Sequence, residues 1–399
     1  MNFSSVDDTS QCVVFKQQLY TSVIRVILIS SIIPASCSAG QMLLHRHLVD
    51  EPEIDLHILP TEPQKKGLQK LLRRLLCSLE RLKLHRLYQD ILASWRGGWI
   101  DDELSIPETN ETATVVMTVA HGDAYHAAMR YARRHNLPLV TFFHDWWPDI
   151  ANVHKPFRSI LEKSFRRLYQ QSSLALCVSS GMQAELGSHA NAEVLLPIPA
   201  AAPSISGRAI REAGKPFKLL YAGNLREYGP MLMAALEALK DHPHIRLEVR
   251  GNSSGWPDVV KKVMRDTGVL LPFVPRDELD DWLESADAFL IPQTFNESER
   301  RLMNTNFPSK LPEVSQFCKP LIVWGPGSAS GLRWGRETGQ AVVVENRDPE
   351  SLKKVLEELC LDKTKQQKFT EAAAEAASGC FDPEHIQAQF LKRLRAVSV

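Results

Sequence analysis

Short apolar runs alternate along this chain with amphipathic stretches, and small-residue turns join them. "VIRVILISS" (23–31) leads through "IIPASCSAG" into the helical "QMLLHRHLVD". "TATVVMTVA" (112–120) precedes "AYHAAMRYARRHN", and "LPLVTFFHD" (137–145) and "SLALCVSS" (173–180) follow. The second half repeats the scheme with "FKLLYAGN" (217–224), "IRLEVRGN" (245–252), "ADAFLIPQ" (286–293), "PLIVWGPG" (320–327) and "AVVVEN" (341–346). Runs that are apolar on both faces, separated by helices, predict parallel sheets covered by helices on each side. Between the halves, "PIPAAAPSISGRAIREAGKP" (197–216) has a linker's composition and predicts a hinge. The expected fold class is α/β, with two doubly wound domains facing a central cleft. Their bounds are 1–206, with the first 20 residues outside the fold, and 207–381. The remaining 382–399 form an amphipathic helix capped at Asp382 and expected to pack back on the first domain.

Composition narrows the function. The chain has 399 residues, 44% hydrophobic and 24% charged, with 47 basic and 47 acidic side chains. A formal net charge of zero supplies no global field for nucleic acid. The seven cysteines (Cys12, Cys37, Cys77, Cys177, Cys318, Cys360, Cys380) show no CxxC pair, which fits a reducing compartment without a metal or disulfide framework. Asp7 and Asp8 near the start, without a basic segment, argue against a signal peptide. The apolar stretch 23–35 is too short for a span and contains Arg25. A cytoplasmic location is expected.

The densest candidate chemistry lies in "NFPSKLPEVSQFCKPLIVWG" (306–325), at the edge where ligands bind in such sheets. Ser309 reads as an N-cap, and the peptide N–H groups after it, with Lys310, make an anion site. Pro312 falls early enough in the helix to be tolerated. Glu313, a turn away, repels phosphate but suits a ribose diol. A nucleotide diphosphate satisfies all of them; a capped helix with a solvated Lys and Glu is the plain alternative.

These residues carry a resemblance. The segment is similar to the donor-binding segment of family 4 glycosyltransferases of GT-B fold, whose members often read Phe-Pro-Ser-Lys-Leu-Phe-Glu-Tyr. "YAGNLREYGPMLMAALEAL" (221–239), "FVPRDELDDWLESADAFLIP" (273–292) and "FHDWWPDI" (143–150) resemble further family segments, and the likeness covers most of 23–395. It implies two Rossmann-like domains and transfer of a sugar, of the hexosyl class, from a nucleotide-diphospho-sugar. It also implies retained configuration, no metal and no cofactor. The acceptor is then a glycan, a lipid-linked or a small molecule, and the nearest subgroup builds surface polysaccharides. Donor-binding positions carried over are Gly40, Gly223, Arg226, Ser309, Lys310 and Glu313. His144 and Asp145 are the catalytic positions, and Trp146 and Trp147 are placed to stack on a sugar. The chain departs from the pattern at Thr305, where many members have a second Glu, and at Pro312, Phe317 and Cys318. The stretch 64–95 has a Leu stripe and a basic face, which fits either a peripheral membrane contact or a domain helix with a solvated face. The alternatives in function are a nucleotide-sugar epimerase of the same fold and a non-catalytic scaffold.

Overall fold

The computed structural model describes residues 23–59 except 37, residue 78, 84–95, 113–201 and 215–398 except 253–255, 273 and 275. The first 22 residues, most of 60–83, the run 96–112 and most of the expected hinge lie outside this set. So do the basic residues of 64–95 other than Arg86.

Two parallel sheets form from the apolar runs. The first contains β1 (Ile24–Leu28), β2 (Ile54–Ile58), β3 (Thr114–Val119), β4 (Leu139–Phe143), β5 (Leu174–Cys177) and β6 (Ala192–Val194), in the order β2-β1-β3-β4-β5-β6. The second contains β7 (Phe217–Asn224), β8 (Ile245–Asn252), β9 (Ala288–Pro292), β10 (Leu321–Trp324) and β11 (Val342–Val344), in the order β11-β10-β9-β7-β8. All strand pairs are parallel. In each sheet the winding reverses beside its first strand, between β1 and β3 and between β7 and β9. Crevices open at such reversals, outside the carboxyl ends of the strands. The expected fold class is therefore the observed one.

β2 and β6 carry no long apolar run because each is an edge strand. β2 even contains Asp55, which sits in register with Arg25 of β1 and accepts from it at 2.9 Å. That pairing explains how Arg25 is only 8% exposed in an otherwise apolar strand.

Each sheet has a core on both faces. On one face of the first sheet, Ile24, Val26, Val115 and Phe142 pack with Leu44 and Leu48 of the Ala39–Leu48 helix. Ile386, Phe390, Leu391 and Leu394 of the last helix, Pro383–Val397, complete that cluster. Burying each such side chain is worth about 1.5–3 kcal/mol, enough to anchor a 15-residue helix. Its Asp382 cap accepts from the Glu384 N–H. The chain thus crosses from the first domain to the second and returns. The described end of the 64–95 stretch, His85–Trp95, is also part of a domain. Its Ala93 packs against Ala151, Val153 and Leu161, and Asp90 accepts from the His154 backbone N–H at 2.9 Å.

The carboxyl ends of β7 and β8 approach closely. Gly223 pairs with Gly251, and a Cβ on Gly251 would lie 1.8 Å from the Gly223 carbonyl oxygen. Only glycine lets the two strand ends meet. Gly251→Ala is accordingly expected to cost about 2 kcal/mol or more, because backbone and not a flexible side chain must move. Urea unfolding of the variant reads this as a lowered midpoint with unchanged slope.

Candidate functional site

The second domain's half of the site stands at the β7/β9 reversal. Lys310 reaches back over the end of β7: its Cε lies 3.4 Å from where a Gly223 Cβ would be, and the Tyr221 hydroxyl lies 2.8 Å from the same point. Gly223 and Lys310, some ninety residues apart in sequence, are thus neighbours. The helix that follows is only Lys310–Ser315. Ser309 adopts a helical conformation, φ −56° and ψ −17°, and its side chain makes no capping bond. This corrects the expected cap: the serine is already wound into the turn, so its hydroxyl cannot reach the N–H groups it was to satisfy. With six residues, the helix dipole is small, and positive charge here rests on Lys310. Pro312 is buried within the helix, and Glu313 is part-exposed beside it. Arg226 lies in the first turn of the Leu225–Leu239 helix, and its side chain is outside the described residues.

Thr305, at the position of the family's second Glu, is 1% exposed and gives its hydroxyl to the Arg301 carbonyl at 2.9 Å. It faces its own helix, not a ligand.

The first domain's half stands at the carboxyl ends of β1, β3 and β4. His144 follows β4 directly. A Cβ on Gly40 would lie 3.8 Å from its Nδ1, so the first turn of the Ala39–Leu48 helix covers the imidazole. The His144 Nε2 is shielded from solvent and has no partner among the described residues. Burial pushes its pKa down to about 4, and the nearby His47 and His121 push the same way. His47 and His121 are also lowered to about 4, chiefly by burial. All three imidazoles are therefore neutral at neutral pH, His47 in the core against Phe142 and Phe390.

Asp145 does not orient His144. Its carboxylate accepts from the Asn306 side-chain amide at 2.6 Å, across to the second domain. Burial raises its pKa, and the Asn306 bond opposes that. Trp146 is 0% exposed and cannot stack on a sugar. Its indole N–H donates to Glu162 at 2.9 Å, and the guanidinium groups of Arg166 and Arg301 lie over its ring at 5.0 and 4.9 Å. Trp147 is part-exposed and meets the His121 ring at 4.0 Å between centroids. Its indole N–H is buried without a partner among the described residues. Ser31, Gln89, His121, Asp123 and Trp147 line a cavity of about 300 Å³ at the β1/β3 reversal.

Contacts between the halves were not legible in either half alone. Arg301 makes a bidentate pair with Asp149, both bonds 2.7 Å. Ser179 donates to the Thr305 carbonyl at 2.5 Å. Nearer the cleft, Arg46 of the Ala39–Leu48 helix donates to Glu313 at 2.5 Å and to the Ile198 carbonyl at 2.7 Å. The only hint of Arg46 in the sequence is a basic residue in a helix's last turn.

Comparisons with known proteins bear on the family and the fold. The family described as Glycosyltransferase Family 4 matches residues 109–195, and the one described as Glycosyl transferases group 1 matches residues 206–376. The chain is a family 4-like glycosyltransferase of GT-B fold. No curated protein matches it in sequence. Solved structures share the fold at low identity. HepE of Anabaena in complex with UDP is 12% identical, with 94% of this chain and 99% of that one covered and a TM-score of 0.60. A glycosyltransferase of Rickettsia africae is 13% identical, covers 95% and 99%, and scores 0.59. An alpha,alpha-trehalose-phosphate synthase (UDP-forming) of Burkholderia vietnamiensis is 10% identical, covers 94% and 100%, and scores 0.57.

The neutral histidines of this glycosyltransferase have a measurable consequence. Between the ordinary histidine pKa of about 6.5 and the lowered value of about 4, the unfolded chain binds more protons than the folded one. Acid in that window therefore favours unfolding. The melting temperature should fall as pH drops from 6.5 towards 4. His47→Asn, which keeps a donor for Gln387 without a titrating ring, should flatten part of that slope.

Proposed function

We propose that this glycosyltransferase moves a sugar from a nucleotide-diphospho-sugar to an acceptor hydroxyl, with the donor on the second domain and the acceptor on the first. The observation that carries the reading is the facing of two reversal-point edges: Gly223, Lys310 and Glu313 on one, Gly40 and His144 on the other, with Arg46 and Glu313 in contact between them. Lys310 meets the diphosphate, joined by Arg226 from the helix that follows β7. Glu313 accepts from the ribose hydroxyls, and the Gly40 turn lets backbone N–H groups approach the phosphates. The complex of the fold relative HepE with UDP supports a nucleotide-sugar as donor.

His144, neutral because it is buried, offers its Nε2 to a hydroxyl of the donor sugar. In transfer with retention, the bond between the anomeric carbon and the phosphate oxygen breaks, and the acceptor oxygen bonds to that carbon on the same face. The acceptor proton passes to the departing diphosphate. Growing charge on that leaving group is met by Lys310 and Arg226, so the reading asks for no metal and no cofactor. No carboxylate is needed as nucleophile, which agrees with Asp145 being committed to Asn306.

The cavity beside Trp147 supports a sugar ring as acceptor. Its lining has an aromatic wall, the Asp123 carboxyl and the Gln89 amide, with no Lys or Arg among the described lining residues. Burial raises the Asp123 pKa. Such a lining suits hydroxyls better than a phosphate.

One assay follows a panel of common nucleotide-sugars with and without an acceptor extract, on wild type, Lys310→Ala and His144→Ala. Transfer that depends on acceptor supports the reading; interconversion of the free donor indicates an epimerase. Neither turnover nor binding indicates a scaffold and overturns it. Lys310→Ala should lower turnover more than it weakens binding of the bare nucleoside. His144→Ala should lower transfer by on the order of 10²-fold, the usual effect of removing one positioned polar group.

A further inference from the structure

The Arg46–Glu313 contact joins residues 267 positions apart and on opposite sides of the cleft. Both side chains are largely enclosed, with 13% and 23% of their surfaces exposed. One nitrogen, Nη1, serves both Glu313 Oε1 and the Ile198 carbonyl, so the guanidinium is tied to the chain segment that leaves the first domain. It also sits in the last turn of its helix, where the partial negative charge of the helix end favours a cation. Arg46 is therefore held on its own side before it touches Glu313.

Only one oxygen of Glu313 is taken. Oε2 receives no hydrogen bond from any described residue. A carboxylate has about four acceptor positions, and a charge-assisted bond to one oxygen fixes the rotation of the other. A ribose diol needs such a fixed acceptor.

We propose that Arg46 is a positioning residue for the donor: from the opposite domain it clamps Oε1 of Glu313 so that Oε2 is presented to the ribose hydroxyls. This rests on the proposed role of Glu313. Its consequence is that the donor site is completed by the first domain, and nucleotide affinity reports how the two domains are set.

The test is calorimetry with UDP, GDP and their 2′-deoxy forms. It uses wild type, Arg46→Gln, Arg46→Lys, Glu313→Ala and the Arg46→Gln/Glu313→Ala double variant, each checked by thermal melting. Arg46→Gln should weaken UDP or GDP about tenfold, the size of one oriented charge-assisted bond. It should weaken the 2′-deoxy form clearly less, and Arg46→Lys should recover part of the loss. The double variant should bind no more weakly than Glu313→Ala alone, because Arg46 acts only through that carboxylate. Equal losses for ribose and deoxyribose forms, or additive losses in the double variant, would make Arg46 a domain tie only and overturn the proposal. Unchanged binding in Glu313→Ala would instead overturn the ribose assignment itself. Failure of wild type to bind either nucleotide would remove both.

Discussion

A site shared between two sheets depends on the joint that sets their separation, and here that joint is Arg301. Its guanidinium is fixed in position and in plane by two parallel bonds to Asp149 and by the Trp146 ring. Asp149 and Trp146 lie one short turn beyond His144; Arg301 lies one short helix before Lys310. The residues that would meet a ligand are therefore within nine residues of those that lock the domains. Asn306 and Asp145 sit between lock and site on either side and are bonded to each other. A shift at the joint of even an ångström would be felt directly at His144 and Lys310.

The electrostatics of the two edges are opposed in kind. The second domain brings full charges, Lys310 and Glu313. Apart from Arg46, which pairs with Glu313, the first brings groups that burial keeps uncharged, the His121 and His144 imidazoles. On the proposed reading the charged leaving group lies on the former side, and on the latter neutral polar groups recognise hydroxyls. The division follows from the sheets themselves. The β1/β3 reversal is walled by the His121 and Trp147 rings, whereas Lys310 stands over a strand end stripped of side chains by Gly223 and Gly251.

Much of this was legible in the residues. Strands β1, β3, β4, β5, β7, β9, β10 and β11 announce themselves by continuous apolar runs, and β8 by the alternation of Ile245, Leu247 and Val249 with Arg246, Glu248 and Arg250. The edge strands β2 and β6 do not, since an edge tolerates Asp55, His57 and Glu193. Gly223, Lys310, Gly40 and His144 were readable from turns at strand ends and from family likeness, and the structure brings them together in pairs. Ser309 was misread because a serine before a short helix can as easily begin the helix as cap it. Trp146 was misread because a tryptophan beside a cleft looks the same in sequence whether it faces sugar or two arginines. Arg46 and Arg301 could not be found at all: each acquires its role only from a partner far along the chain, and nothing local marks the pairing.

The return of the last helix makes the second domain an insertion within the first. The first sheet's hydrophobic seat for Ile386, Phe390, Leu391 and Leu394 stays uncovered until the Pro383–Val397 helix has been made. At ordinary synthesis rates of about 5–20 residues per second, that seat waits roughly 10–40 s after Ile198 emerges. The second domain has time to fold in that interval, and its finished bulk then carries the closing helix back across. The domain that is synthesised first is the one completed last, and its exposed apolar face during translation is the point at which a chaperone would have most to cover.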